Sequence, residues 1–161
     1  MRNNRILTMI LTIYLVGIIS SFILVRPTKL NISSSEITII SIVKTFCLNY
    51  WYIFIVWILG LSLIGFIINI FIVYFRGFVF GLLILFLIKT NLKYLLVISV
   101  IEIILFIPIF IFLSYSSIVI SFSSFRKVKI PLQNYDKILV IATILIFIYS
   151  ILLEIVGGLY A

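Results

Sequence analysis

Glu102 and Glu154 are two of only four acidic residues, and both lie in or near long apolar runs. A carboxylate surrounded by hydrocarbon is expensive, so each is by default a functional residue. Glu102 has three readings. It carries protons in transport, it hydrogen-bonds a neighbouring helix, or it pairs with Arg76 or a lysine. Glu154 is more easily interfacial. A second set of residues precedes them. Ser62, Gly65, Asn69 and Arg76 are spaced three, four and seven apart. At about 100° per residue they share one helix face. A small and polar face on a lipid-embedded helix turns toward protein, either as interior packing or as the wall of a solute or ion path.

Catalytic chemistry has little to work with. The chain has no histidine, and Cys47 is its only cysteine. An activated Cys–His pair, an intrachain disulfide and a thiolate metal cluster are therefore excluded. No glycine-rich phosphate loop and no Ser/His/Asp set occurs. The serines between 114 and 124 have no base nearby in sequence except Lys127 and Lys129. These observations predict no enzyme, no cofactor, no metal and no small-molecule substrate.

The elements that must position these residues are apolar helices. Of 161 residues 65% are hydrophobic and 10% charged, against roughly 25% charged in soluble domains. The fold class expected is all-α, a single polytopic membrane bundle. The net charge of +8 comes from cations flanking apolar runs. That placement points to anionic headgroups and topology rather than to nucleic acid.

Residues 6–25 form an apolar run between Arg5 and Arg26. It is about 30 Å long as a helix, the thickness of a hydrocarbon core. Its length and the lack of a small-residue cleavage site predict an uncleaved anchor. Ser33 to Glu36 read as a helix start, and residues 36–49 as a short amphipathic helix on the outer membrane surface. Val43 and Phe46 on its apolar side are candidates for contact with a partner.

Tyr50-Trp51-Tyr52 and Tyr74-Phe75-Arg76 read as aromatic belts. Gly77 and Gly81 have the small-xxx-small spacing of close helix contacts. The run beyond Asn49 is read as two short spans, 51–68 and 70–88, broken near Gly65 and Asn69, which sets Arg76 partway into the membrane. A re-entrant segment after Arg76 is the alternative, giving four spans in place of five. Spans 95–118, kinked at Pro108, and 138–156 complete the set. With the N-terminus inside, seven cations fall in inner segments, Arg76 among them, and five in outer ones. This is the sign that the positive-inside rule requires.

The order of signals from Asn49 through Trp57-Ile58-Leu59-Gly60-Leu61-Ser62, Ile64-Gly65, Arg76-Gly77 and Gly81 resembles the stage II sporulation protein M family. The resemblance extends over most of the chain, including the Ile-Pro at 107–108 and a closing span with Ser150 and Glu154. Two positions depart from the pattern. Ile101-Glu102-Ile103 stand where the family usually has a Pro-polar-Asn trio, and Phe66 stands where a proline often follows Ile-Gly.

The resemblance implies a multi-pass protein of the cell membrane, on the mother-cell side of the sporulation septum. It implies a scaffold that recruits and localises peptidoglycan hydrolases during forespore engulfment. The stage II sporulation proteins D and P would be its partners and would do the cutting. A small membrane permease or channel subunit is the competing reading, with Ser62, Asn69, Arg76 and Glu102 lining a polar path.

Overall fold

The computed structural model describes residues 2–26, 38–90, 92–125 and 133–160, and these are almost entirely helical. The helices are α1 (Arg2–Leu24), α2 (Ile39–Leu61), α3 (Gly65–Thr90), α4 (Leu92–Ile101), α5 (Ile107–Phe125) and α6 (Gln133–Tyr160). A π-helical segment, Glu102–Phe106, joins α4 to α5. Among the described residues five helical stretches are long and apolar enough to cross a membrane. They are Arg5–Leu24, Ile39–Leu61, Gly65–Ile88, Leu92–Ser124 and Asn134–Leu159. This is the pattern of a multi-pass membrane protein.

Burial is reversed relative to a soluble bundle. Ile19, Ile23, Leu24, Phe71, Ile104 and Ile144 point outward. Ser21, Asn69, Arg76, Glu102, Ser114, Ser117, Ser121 and Ser150 are buried. In lipid an outward leucine loses nothing, because the tails are as apolar as its own side chain. Helices are instead held by close approach and by hydrogen bonds. The interior still has an apolar centre, built from Ile10, Ile53, Val56, Val73, Phe106, Phe110, Leu113 and Ile146. A smaller cluster of Leu87, Leu95, Ile98 and Val156 ties α4 to α3 and α6.

The start of α2 differs from the surface helix expected at 36–49. Residues 39–49 are continuous with the span that follows, in one helix of 23 residues. Its cap is Thr38, whose Oγ1 accepts from the Ser41 N–H at 3.4 Å while Ser41 Oγ accepts from the Thr38 N–H at 3.3 Å. This reciprocal capping satisfies two otherwise free donors. Ser33, Ser34, Ser35 and Glu36 lie outside the described residues.

The break that separates the second and third spans falls at residues 62–64, before Gly65 rather than between Gly65 and Asn69. Ser62 leaves the helix with extended backbone (φ −88°, ψ 143°). Its N–H still donates to the Leu59 carbonyl at 3.1 Å, and its own carbonyl accepts from the Gly65 N–H at 3.2 Å. A Cβ on residue 65 would collide with the Leu59 carbonyl, so the turn requires glycine. From Gly65 the chain runs as a single helix through Thr90, which replaces both the short span 70–88 and the re-entrant alternative.

Arg76 therefore sits near the middle of α3 and is buried, in keeping with the two-span reading and not with an interfacial belt. Without it, six inner cations stand against five outer ones. Lys29, Arg126, Lys127 and Lys129 from that comparison lie outside the described residues. The span expected at 95–118 is longer, 33 residues from Leu92 to Ser124, or about 50 Å of helix. Pro108 lacks the N–H that an α-helix needs and crowds the preceding turn. The π segment just before it absorbs that misfit, with the Ile107 N–H donating to the Glu102 carbonyl. The last span expected at 138–156 lies inside the longer α6.

α1 packs chiefly on α3. Gly17 and Gly77 allow the two backbones to touch. A Cβ on residue 17 would meet the Tyr74 carbonyl oxygen, and one on residue 77 would meet that of Tyr14. Gly81 likewise leaves room for Ser21. α2 packs against α5 and α6, and α3 bridges the two halves through α5.

Candidate functional site: a sealed ion pair in the bundle

Charge reaches the centre of the bundle from two elements. α3 presents Arg76 at its midpoint, and the π segment begins with Glu102. Arg76 Nη2 donates to Glu102 Oε1 at 2.5 Å. Only 9% and 2% of the two side chains are exposed. The Tyr149 hydroxyl, from α6, donates to Glu102 Oε2. Both carboxylate oxygens are thus engaged by different helices.

Aromatic rings enclose the cation. The guanidinium carbon lies 3.9 Å from the Phe106 ring centroid and 5.4 Å from that of Tyr52. Both distances suit cation–π attraction. Phe106 is four residues beyond Glu102, and the wide turn of the π segment turns both inward while Ile103 and Ile104 face out. Phe106 also packs on Tyr149 at 5.2 Å. An ion pair in this setting requires such support, because two charges taken out of water repay their desolvation only with good geometry and further hydrogen bonds.

A second polar joint stabilises the α2–α3 break. Ser114, Ser117 and Ser121 line one face of α5. Ser121 Oγ donates to the Ser62 carbonyl at 2.6 Å and accepts from the Phe66 N–H at 3.0 Å. Ser117 Oγ donates to the Val56 carbonyl at 2.7 Å. Asn69 Nδ2 donates to the Ser114 carbonyl at 3.1 Å. Backbone groups freed by a helix break at membrane depth need such partners, since lipid offers none.

A third contact ties the start of α2 to the end of α6. Thr45 Oγ1 donates to Glu154 Oε1 at 2.5 Å. Asn49, one turn on, turns its amide back to the Thr45 carbonyl at 2.8 Å.

The residues singled out in the sequence are distributed over these joints. Asn69 and Arg76 share an inward face with Gly65, but Ser62 has left the helix, so the four do not form one stripe. Glu102 takes the ion-pair reading with Arg76. Trp57 stacks on Tyr135 at 5.9 Å, and Tyr135 Oη donates to the Trp57 carbonyl at 2.9 Å. Gly60 exists because the Tyr135 phenol occupies the place of its side chain. Pro108 is exposed at the bundle surface. Val43 is half-exposed. Phe46, named with it as a partner contact, instead packs edge-on against Phe147 at 5.6 Å and stacks on Tyr50 at 5.4 Å.

Sequence reasoning missed Tyr149, Phe106, Tyr135, Gly17 and Ser21. The last two carried a readable signal. Ile10, Tyr14, Gly17 and Ser21 recur at spacings of four, three and four, with the same small-xxx-small pattern as Gly77 and Gly81. Tyr149 and Tyr135 carried none, because a tyrosine in an apolar run reads equally well as an interfacial anchor.

Fold and site together define a helical membrane protein with five spans among the described residues, whose central buried charges, Arg76 and Glu102, pair with each other. No family model, curated protein or solved structure matches this chain.

Proposed function

We propose that this chain is a membrane scaffold, related to stage II sporulation protein M, that gathers peptidoglycan hydrolases at the sporulation septum during forespore engulfment. The observation that carries this reading is where the residues of the resemblance lie. Trp57 and Gly60 meet Tyr135, and Gly65 shapes the turn that Ser121 closes. Arg76 holds Glu102, and Gly77 and Gly81 receive α1. The shared pattern is therefore spent on helix-to-helix joints. That use suits a rigid platform, whose task is presentation of a surface, better than a machine with moving charges.

The permease reading is supported less well. It needs Asn69, Arg76 and Glu102 to line one continuous path. Asn69 is bonded to the α5 backbone, while Arg76 and Glu102 are bonded to each other and covered by rings.

The partners would be the stage II sporulation proteins D and P, and the chain itself would cut no bonds. The surface offered to them is the exposed apolar start of α2. Ile39 and Ile40 are 81% and 80% exposed, and Val43 is 51% exposed. Phe46 is set aside, because its replacement would disturb packing on Phe147. Changing Ile39, Ile40 and Val43 together to serine is expected to weaken co-purification of the two hydrolases from sporulating cells, with membrane insertion intact. Undiminished co-purification would refute the surface. Hydrolases that reach the septum normally in cells lacking this chain would refute the function.

A further inference from the structure

One cavity in the bundle has a polar wall and adjoins the ion pair through Tyr149 alone. It lies between α2, α3, α4 and α6 and has a volume of about 290 Å³. Thr45, Tyr94, Tyr149 and Glu154 supply its polar wall, and Leu83 and Leu153 part of its apolar one. The groove beside Pro108, by contrast, is lined by apolar side chains alone.

The polar wall is rich in acceptors. Glu154 is a carboxylate that accepts from the Thr45 hydroxyl at Oε1. Among the described residues no cation lies within ion-pair distance of it, since the one such pair is Arg76–Glu102. An ionised carboxylate offers about four acceptor positions, and Thr45 occupies one of them. The Thr45 hydroxyl gives its proton to Glu154, and the Tyr149 hydroxyl gives its proton to Glu102. Each keeps an oxygen that accepts. A negative charge among hydroxyl oxygens calls for a cation with several N–H donors, which is the chemistry of a primary ammonium group with its three.

Depth selects how that group is presented. The apolar stretch of α6 covers 26 residues, Asn134–Leu159. That is about 39 Å, close to a bilayer with its headgroups. Glu154 lies about 8 Å inside the end of that stretch, where headgroups meet acyl chains. Thr45 near the start of α2 and Tyr94 near the start of α4 belong to the same end of the bundle. Lys44 and Lys93, each one residue from a lining residue, are exposed and offer counter-charge to a phosphate.

We propose that this cavity binds the primary ammonium of a phospholipid headgroup, that of an ethanolamine phospholipid. A choline headgroup has no N–H to donate, and a glycerol headgroup brings no positive charge to Glu154. The proposal stands apart from the scaffold function and survives or fails without it.

The test uses the full chain purified from an equimolar mixture of ethanolamine, choline and glycerol phospholipids, with retained lipid identified by mass spectrometry. Non-specific attraction by a protein of net charge +8 favours the anionic glycerol lipid. Preference for the ethanolamine lipid would therefore run against that background. Glu154→Gln, which removes the charge and keeps the shape, is expected to lower this preference about tenfold, the loss of one charge-assisted contact. Thr45→Val should lower it less. Glu154→Asp, which keeps the charge on a shorter arm, should retain part of it and serves if the glutamine variant does not fold. No preference in the parent protein, or an equal preference in the glutamine variant, overturns the proposal. A parallel arm adds free ethanolamine to lipid-free protein in detergent. Stabilisation there without lipid selectivity would assign the cavity to a soluble amine and overturn the lipid assignment.

Discussion

Arg76 and Glu102, separated by 26 residues in the chain, meet at 2.5 Å in the interior of the bundle. Each comes from a helix that would be unstable in lipid with its charge alone. Their pairing fixes α3 against the π segment, and Tyr149 extends the same joint to α6. The site thus joins helices at the depth where an unpaired charge is least tolerated.

Removing one partner should be worse than removing both. Glu102→Leu leaves a buried guanidinium with no carboxylate and is expected to destabilise the bundle by about 3–5 kcal/mol. The double variant Arg76→Leu/Glu102→Leu should recover most of that loss, because two apolar chains of similar bulk replace two charges. Unfolding of the purified protein in detergent measures both. Equal losses in the single and double variants would contradict the pairing.

Tyr149→Phe removes a single hydroxyl. A loss of about 1 kcal/mol is expected, in the range measured for hydrogen bonds between membrane helices. In the Arg76→Leu/Glu102→Leu background the same change should cost almost nothing, since its partner is gone. That difference, read as a double-mutant cycle, isolates the Tyr149–Glu102 contact from packing on Phe106.

Gly77→Val places side-chain atoms against the Tyr14 backbone and should push α1 away from α3. Overpacking of this kind typically costs about 1–3 kcal/mol. Cysteine labelling provides a direct readout. In a Cys47→Ser background, Ser21→Cys should be shielded from a thiol reagent and should become reactive once Gly77→Val is added. Continued shielding would show that α1 stays docked.

Two serines of α5 should behave differently when changed to alanine. Ser121→Ala leaves the Ser62 carbonyl and the Phe66 N–H without their side-chain partner and should cost about 1–3 kcal/mol. Ser123 donates to the Val119 carbonyl of its own helix, at 2.7 Å. Its replacement should change stability by less than about 0.5 kcal/mol. The comparison is made by thermal unfolding of the two variants under the same conditions.

Much of the architecture was open to reading from residues alone. The apolar runs flanked by Arg5, Arg26 and the later cations announce helices in lipid, because a helix satisfies its backbone within one continuous run of that length. Gly77 and Gly81 announced a close approach, and Pro108 a disturbed helix. The reading went astray where two local signals competed. Tyr74-Phe75-Arg76 has the composition of an interfacial belt, and nothing local distinguishes a belt arginine from a buried one, so Arg76 was counted with the inner cations although two spans set it partway into the membrane. Val43, Phe46 and Tyr50 have the periodicity of a surface helix, which is also that of a spanning helix with one packed face.

The sequence by itself determined the solvent of this protein and the kind of element it uses. Both follow from summed hydropathy and from the absence of charge over lengths that match a bilayer, and these quantities are local and additive. Only the tertiary structure decided which polar group answers which. That Arg76 faces Glu102, that Tyr149 completes it, and that Ser121 closes the turn at Ser62 depend on which helices become neighbours. In lipid every outward face is equally comfortable. Neighbours are therefore chosen by the few inward contacts, and those are relations between distant residues that no single stretch of chain encodes.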